Sequence, residues 1–421
     1  MFRESLLDKI LYKIKRLIPK SVFETAAPVY HSLLAWAGAV MYGFPSKSLT
    51  VIGVTGTKGK STVTYLISKI LESNGASVAA IGSLGYKIRD KEWPNTLKMT
   101  MPGRSKLQKF LSQAKKAGCK YVVLEVTSEG IKQKRHLGIT FDCAVFTNLH
   151  KEHIESHGSF EKYYEAKQEL FKAAKNIHVI NSDDPNFELF SEFPSRKTIF
   201  YGINTGEMKA ANIKTSDNGS EFDVYGTQFK TSLAGEFNIL NCLAALATGA
   251  MYGVELPAAK PILESIRSIS GRMEFIQHEP FSVVVDYAHT PDSLEVVYRS
   301  LKKESGKLIC VLGAAGGGRD KWKRPEFGKI ADQYCDEIVL TNEDPYNEDP
   351  NNIIDEIATG IIRKQPIRIM DRKGAIKKAI SDAQPGDTVI ITGKGSEPSM
   401  AIAGNKKIPW SDKKIVEEAL S

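Results

Sequence analysis

The sequence predicts an α/β protein in three parts: a short helical segment over residues 1–48, a central parallel-sheet domain over 49–271 and a C-terminal Rossmann-like α/β domain over 272–421. Three observations carry that prediction. Strand-like and helix-like runs alternate from residue 49 onward, the pattern of a parallel sheet covered by helices on both faces. The alternation breaks near Ser270-Gly271-Arg272 and then starts again. A glycine-rich loop also separates the first strand from the first helix, at the edge where such sheets bind ligands.

The elements follow in order. Residues 3–20 (RESLLDKILYKIKRLIPK) set Leu6, Ile10, Ile14 and Leu17 at helical spacing among basic residues. A second apolar stretch runs from Ala26 to Phe44; it has about the length of a membrane span but contains Pro28, His31 and Ser32. No small-residue cleavage site follows a short apolar core, which argues against a signal peptide. The expectation is helices that pack on the central domain, or touch a membrane surface through residues 1–46, without crossing it. Leu49–Val54 is a β-branched run, and STVTYLISKILESNG after it has apolar residues three and four apart. Val78–Ile81, Tyr121–Val126, Cys143–Thr147 and Ile177–Ile180 read as further buried strands. In the second series the strands are Ser282–Asp286, Leu308–Leu312, Glu337–Thr341, Ile367–Met370 and Thr388–Thr392. Helical segments Asp292–Lys303, Pro325–Gln333, Ile353–Ile362 and Lys373–Ala383 lie between them.

Composition narrows the class. With 42% hydrophobic and 25% charged residues in a chain of 421, this is an ordinary globular composition with room for two or three domains. The net charge of +8 suits a polyanionic ligand, but by itself fits nucleic acid or an anionic membrane equally well. Cys119, Cys143, Cys242, Cys310 and Cys335 form no CxxC pair and no zinc spacing with histidine. They read as five reduced thiols in a reducing compartment, here the cytoplasm.

Residues 53–62, GVTGTKGKST, follow a strand and open a helix, the context of a phosphate-binding loop. Backbone N–H groups of Gly56, Thr57, Lys58 and Gly59 would approach phosphates, Lys60 would reach the terminal phosphates, and Ser61, followed by Thr62, would offer a hydroxyl to Mg²⁺. The first glycine sits one place early for the ordinary spacing, at Gly53.

At this loop the sequence begins to resemble the Mur ligases, which usually carry Asn where Lys58 stands. The likeness continues through EVTSEGIKQKR (125–135), FTNLHKEHIESHGSFEKYYEAKQELF (146–171), NSDD (181–184), GEFNILNCLAA (235–245), GRME (271–274), VDYAHTPDSL (285–294), GGGRDKWKRP (316–325) and GKGSE (393–397). Within the family the tripeptide synthetases match best. The resemblance implies an ATP-dependent amide ligase of cell-wall synthesis, a monomer with no nucleic-acid partner, acting on a muramoyl-peptide acceptor and an amino acid. It implies Mg²⁺ ligands Ser61, Glu125 and His153, and a Lys167 carbamylated by CO₂ that helps to position the metal. Tyr163, Lys167 and Phe171 lie four apart, so the lysine shares a helix face with two aromatics, where burial favours the neutral amine. His157 reads as a loop or capping residue. By the same match Asn241 meets the adenine, Asp286 the ribose, and Arg272 reaches phosphates; Asn148 lies near the reacting groups. Lys321, Lys323 and Arg324 would gather phosphate or carboxylate oxygens. Thr100, Thr127, Ser128 and Arg135 would hold the peptide-bearing acceptor, and Asp344, Tyr346, Gly393 and Glu397 the incoming amino acid.

The pattern departs from the family in three places. Only 48 residues precede the first strand, too few for the uridine-binding domain of the full-length tripeptide synthetases. Glu129 stands where EVSSH has histidine, and Asp344-Pro345-Tyr346 stands where the diaminopimelate enzymes read Asn-Pro-Arg. Losing that arginine favours lysine or another diamino acid. Two other readings compete: a folylpolyglutamate-synthetase-like or other amide ligase with a non-UDP substrate, and a catalytically inactive nucleotide-binding regulatory protein. Retention of Glu125, His153 and Lys167 together opposes the second.

Overall fold

A computed structural model of the chain describes residues 20–421 other than 98, 153 and 405. The helical pattern expected over 3–19, and the expected metal ligand His153, lie outside the described residues. The chain divides into two compact units, the first ending at Ile266 and the second running from Arg267 to Ser421 with the short segment Glu152–Ser156.

The first unit is built on one nine-stranded sheet. Its strands are β1 (Thr50–Thr55), β2 (Val78–Gly82), β3 (Gly85–Ile88), β4 (Lys91–Trp93), β5 (Tyr121–Glu125), β6 (Cys143–Phe146), β7 (Ile177–Asn181), β8 (Lys197–Gly202) and β9 (Met208–Lys209). They lie in the order β4-β3-β2-β5-β1-β6-β7-β8-β9. β5, β6 and β7 are buried along their whole length, as continuous apolar runs in a doubly covered parallel sheet must be. β3 and β4 return antiparallel at one edge, so the sheet is mixed there. β1 pairs in parallel with β5 and β6, setting Val54 against Glu125 and Thr55 against Phe146. The carboxyl ends of these three strands therefore open on one edge, and every candidate nucleotide and metal residue of this unit but Asn241 follows or precedes one of them or packs on it. Gly53 belongs to β1 and not to the loop: a Cβ there would stand 2.6 Å from the Leu170 side chain, so its glycine serves helix packing. That accounts for the early glycine in the loop spacing.

Helix Glu236–Met251, rich in Ala and Leu and buried along most of its length, packs on helix Lys60–Ser73. Helix Lys20–Met41 lies along helix Arg104–Lys116. No helix among the described residues is long and apolar enough to cross a membrane. A separate antiparallel sheet, β10 (Ala211–Ser216), β11 (Gly219–Val224) and β12 (Thr227–Thr231), was not among the expected strands. β10 is solvent-exposed at almost every residue, so it carries no apolar alternation to read.

The second unit has six strands: β13 (Glu274–Gln277), β14 (Ser282–Val285), β15 (Leu308–Leu312), β16 (Glu337–Leu340), β17 (Ile367–Arg368) and β18 (Thr388–Ile391), in the order β13-β14-β18-β15-β16-β17. All pairs but β13–β14 are parallel. Helix Pro291–Leu301 starts where the sequence dictates: Thr290 and Ser293 form a reciprocal capping box and Pro291 takes the first helical position. A hairpin of β19 (Ser399–Ile402) and β20 (Lys406–Pro409) and the helix Asp412–Leu420 complete the unit. Asp412 anchors that helix through a fully buried two-bond ion pair with Arg372 (2.9 and 2.7 Å).

One expectation is overturned. Cys310 and Cys335 form a disulfide, so the chain does not hold five reduced thiols; Cys119, Cys143 and Cys242 are free and buried. The two cysteines are 25 residues apart, and only the crossover that returns β16 beside β15 brings them together. Linear spacing does not reveal such a pair.

Candidate active site

In the first unit the loop after β1 turns sharply at Gly56, whose φ of +147° and 1.9 Å clearance to Thr147 Oγ1 leave no room for a side chain. The loop is pinned from the segment after β6. Lys58 N–H donates to Asn148 Oδ1 (2.8 Å), Asn148 Nδ2 donates to Lys58 O (3.2 Å), and Thr147 Oγ1 donates to the same carbonyl (2.6 Å). Asn148 thus acts here on the nucleotide loop itself. Thr57 Oγ1 lies 3.0 Å from the Tyr163 hydroxyl and accepts from His150 N–H (2.9 Å). Lys60 Nζ folds back onto Gly56 O (3.0 Å) and Thr57 O (2.8 Å) at the start of its helix. Thr62 is buried one residue beyond Ser61. Asn241 Oδ1 comes within 2.4 Å of where a Cβ on Gly59 would stand, which brings the expected adenine contact to the loop.

Ser61 Oγ donates to Glu125 Oε1 (3.1 Å), and Glu125, buried at the end of β5, also accepts from Ser83 N–H (2.7 Å). Hydroxyl and carboxylate oxygens at this spacing are the hard donors that Mg²⁺ takes, so the residues fit the ion. Among the described residues no three His, Cys, Asp or Glu side chains cluster as a metal site. Lys167 is 2% exposed; its Nζ donates to Gly56 O (2.7 Å) and stands 4.5 Å over the Tyr163 ring. Its helix, Phe160–Ala173, is capped by Ser159, and Tyr163 and Phe171 are buried on the same face.

The acceptor candidates adjoin this cluster. Thr100 Oγ1 and Ser83 Oγ are 2.8 Å apart, and Ser83 Oγ reaches Glu125 Oε1 (3.3 Å), so a hydroxyl chain links Thr100 to the Glu125 carboxylate. Thr127 caps the short helix Ser128–Lys132 by accepting from Gly130 N–H. Ser128 Oγ lies 3.2 Å from His157 Nε2. His157 is buried rather than a loop or capping residue, and Glu129 Oε1 lies 3.5 Å from the same nitrogen. The Glu129 departure therefore has a partner in His157. Arg135 donates to Met101 O and to Gln133 Oε1 (2.7 Å), and burial holds its guanidinium below the usual arginine range.

In the second unit a cavity of about 360 Å³ is lined in part by Tyr287, Arg319, Glu343, Asp344, Gly393 and Glu397. Lys394 Nζ donates to both Asp344 oxygens (2.9 Å each) and to Glu397 Oε2. Asp344 also accepts from Ala401 N–H (2.6 Å), and Glu397 Oε1 accepts from Tyr287 OH (3.2 Å). Arg272 stacks 4.3 Å over the Tyr287 ring. Both carboxylate oxygens of Asp286 accept backbone N–H groups, from Met273 and Ala288 (2.6 Å each). Tyr346, at φ +53°, lies beside Arg319. Arg324 is buried and pairs with the chain's own Glu356 (2.8 Å) and Glu348 (3.0 Å); Lys323 pairs with Asp320 (2.9 Å), Lys321 approaches Glu348 (3.5 Å), and Lys323 and Arg324 also line the cavity. Arg319, Glu343, Lys394 and Tyr287 were not singled out from sequence, although all but Glu343 lie inside motifs quoted above; Glu343 adjoins Asp344.

Burial raises the Glu343 carboxyl from an ordinary 4.5 to about 7. The folded chain then holds a proton that the unfolded chain releases, so this contribution to stability is full below 4.5 and is lost as pH rises to about 7. Urea unfolding of the whole chain across that range should show the loss, and Glu343→Gln should flatten it; an unchanged slope would show Glu343 to be ionised when folded.

Residues 54–249 match the Mur ligase middle domain and residues 271–395 the Mur ligase glutamate ligase domain. UDP-N-acetylmuramyl-tripeptide synthetase of Roseiflexus sp. (strain RS-1) is 36% identical over 417 residues, covering 92% of this chain and 82% of that protein. UDP-N-acetylmuramoyl-L-alanyl-D-glutamate--2,6-diaminopimelate ligase of Thermosynechococcus vestitus is 39% identical over 91% of this chain and 79% of its own. A solved structure of a ligase with that same name superposes with a TM-score of 0.62 at 33% identity, over 88% of this chain and 78% of that one. Mycobacterium tuberculosis folylpolyglutamate synthase shares the fold, with a TM-score of 0.70 at 18% identity over 86% of this chain and 92% of that one. The chain belongs to the Mur ligase family, the ATP- and Mg²⁺-dependent amide ligases.

Proposed function

We propose that this ligase joins a diamino acid, lysine before meso-diaminopimelate, to the carboxylate of a muramoyl-dipeptide-type precursor of peptidoglycan in the cytoplasm. The observation that carries the amino-acid choice is Tyr346, which stands in place of the family arginine. Without that arginine a distal carboxylate loses a charge-assisted two-bond partner, whereas Glu397 remains to hold an ammonium.

The chemistry is phosphoryl transfer followed by acyl transfer. A carboxylate oxygen of the acceptor attacks the γ-phosphorus of ATP, the bond to ADP breaks, and an acyl phosphate forms. The amine nitrogen of the amino acid then attacks the acyl carbon; the C–O bond to phosphate breaks, and the amine gives up a proton. No protein nucleophile takes part, so the chain's work is positioning and charge stabilisation. The loop from Gly56 to Thr62 cradles phosphates and Lys60 neutralises them; Ser61 and Glu125 would hold Mg²⁺, which when bound would supply positive charge to the transferred group. Lys167, as its carbamate, would help to position that ion. Thr100, Ser128 and Arg135 hold the acceptor.

Phosphate release measured with lysine and with meso-diaminopimelate, on a set of muramoyl-peptide acceptors, tests the reading. Lysine should give a kcat/KM at least equal to that of diaminopimelate, and Tyr346→Arg should shift the ratio toward diaminopimelate by roughly tenfold, the scale of one charge-assisted contact. A large preference of the unaltered protein for diaminopimelate would refute it.

A further inference from the structure

Two arginines of the first unit stand side by side without an acid between them. Arg104 Nη2 donates to the backbone carbonyl of Gln133 and Arg135 Nη2 to its side-chain carbonyl (2.7 Å), so a single residue spans the gap between the guanidiniums. Both side chains are half-buried. Among the described residues neither forms an ion pair, and the Nε–H of each is buried with no acceptor. Glu129 acts on Arg135 only through space. Burial, and then the charge of Arg135, pushes the Arg104 guanidinium down to about 10.

Helix position adds to the excess of positive charge. Arg104 opens helix Arg104–Lys116, whose first turn holds no acid and whose N-cap, Gly103, has no side chain to bind the first N–H groups. The positive end of a helix favours anions, so stability alone would place an acid here rather than an arginine. The surroundings say which anion belongs. Arg135 donates to the carbonyl of Met101, the residue after Thr100, and Thr100 is joined through the Ser83 hydroxyl to Glu125. The arginines therefore lie at the other end of a run of contacts from the carboxylate expected to hold the metal. An acceptor whose reacting carboxylate is activated near Glu125 can lay a second acidic group against them, and a guanidinium fork suits a carboxylate. We propose that Arg104 is a further acceptor-binding residue, which with Arg135 takes a second, non-reacting carboxylate of the acceptor. This rests on the acceptor reading above and names what the site selects: two acidic groups on one acceptor.

Kinetics of the intact chain with a matched pair of acceptors test this. One is a muramoyl-dipeptide ending in glutamate; the other is the same compound with its non-reacting carboxylate as a carboxamide. The acid should have a KM at least about tenfold below that of the amide, the scale of one charge-assisted contact. Arg104→Gln should raise KM for the acid by about tenfold, while KM for the amide and kcat for both stay within about twofold. Arg104→Lys keeps the charge without the fork and should keep part of the discrimination. A second arm needs no turnover. Glutarate should raise the thermal midpoint of the parent above that in chloride of equal ionic strength, and Arg104→Gln should abolish the rise. An equal loss with acid and amide would make Arg104 a brace for Gln133 and overturn the proposal. So would an unchanged KM for the acid in Arg104→Gln, or glutarate stabilisation that survives the substitution. If neither acceptor is used, the acceptor reading fails by itself, and the absence of any glutarate effect on the parent would then overturn the anion site as well.

Discussion

Alanine at Lys167 is expected to lower turnover by at least about 10²-fold, the scale for losing one electrostatic contributor in a preorganised site. The side chain is 2% exposed, reaches Gly56 O at 2.7 Å and lies 4.5 Å from the centre of the Tyr163 ring, so it touches the nucleotide loop from inside the protein. A buried lysine favours its neutral amine, and the neutral nitrogen can add CO₂, forming an N–C bond and releasing a proton to leave a carbamate. Two outcomes separate the carbamate from a plain structural lysine. Short carboxylates should partly restore Lys167→Ala by filling the space of the missing group, and ¹³C-labelled CO₂ should give a carbamate resonance that the variant lacks. Full activity in the variant would remove Lys167 from the mechanism. An inactive variant with no rescue and no resonance would leave a lysine that only braces Gly56.

What could be read from sequence followed local chemistry. β1 and its loop were legible because a β-branched strand, closely spaced glycines and a helix start are contiguous. Lys167 was singled out by the family resemblance, and its burial was legible because Tyr163 and Phe171 repeat at the helical period; all three are buried together. The C-terminal strands β14, β15, β16 and β18 were legible as short apolar runs buried on both faces. What escaped depends on residues far apart in the chain. Lys394 meets Asp344 from fifty positions away, and the Cys310–Cys335 bond exists only because β16 returns beside β15. His157 looked like a loop residue until Ser128 and Glu129 came against it. Arg324 stood in a basic run, and its partners within the chain, Glu348 and Glu356, lie 24 and 32 positions away. Basic clusters in sequence show their charge but not their partners.

The largest loss is expected at Lys60. Its ammonium now rests on the carbonyls of Gly56 and Thr57, at 3.0 and 2.8 Å, within the turn that precedes its own helix. Those contacts hold the cation within the loop expected to take the phosphates, and a phosphate oxygen is a stronger acceptor than either carbonyl. As the γ-phosphoryl group transfers, charge spreads over its oxygens, and a cation fixed beside them needs no reorganisation to meet it. Lys60→Ala removes this group and leaves the Asn148 and Thr147 bonds that shape the loop, so the fold should persist. We expect kcat/KM for ATP to fall by about 10³-fold, with a thermal midpoint close to that of the parent. Lys60→Arg should recover little, because a planar guanidinium cannot place three donors as a compact ammonium does in the same turn. Single-turnover phosphate release with saturating acceptor separates the roles: a lost chemical step with nucleotide binding only modestly weakened is the expected result. An alanine variant within about tenfold of the parent would move phosphate recognition from Lys60 to the backbone of the loop.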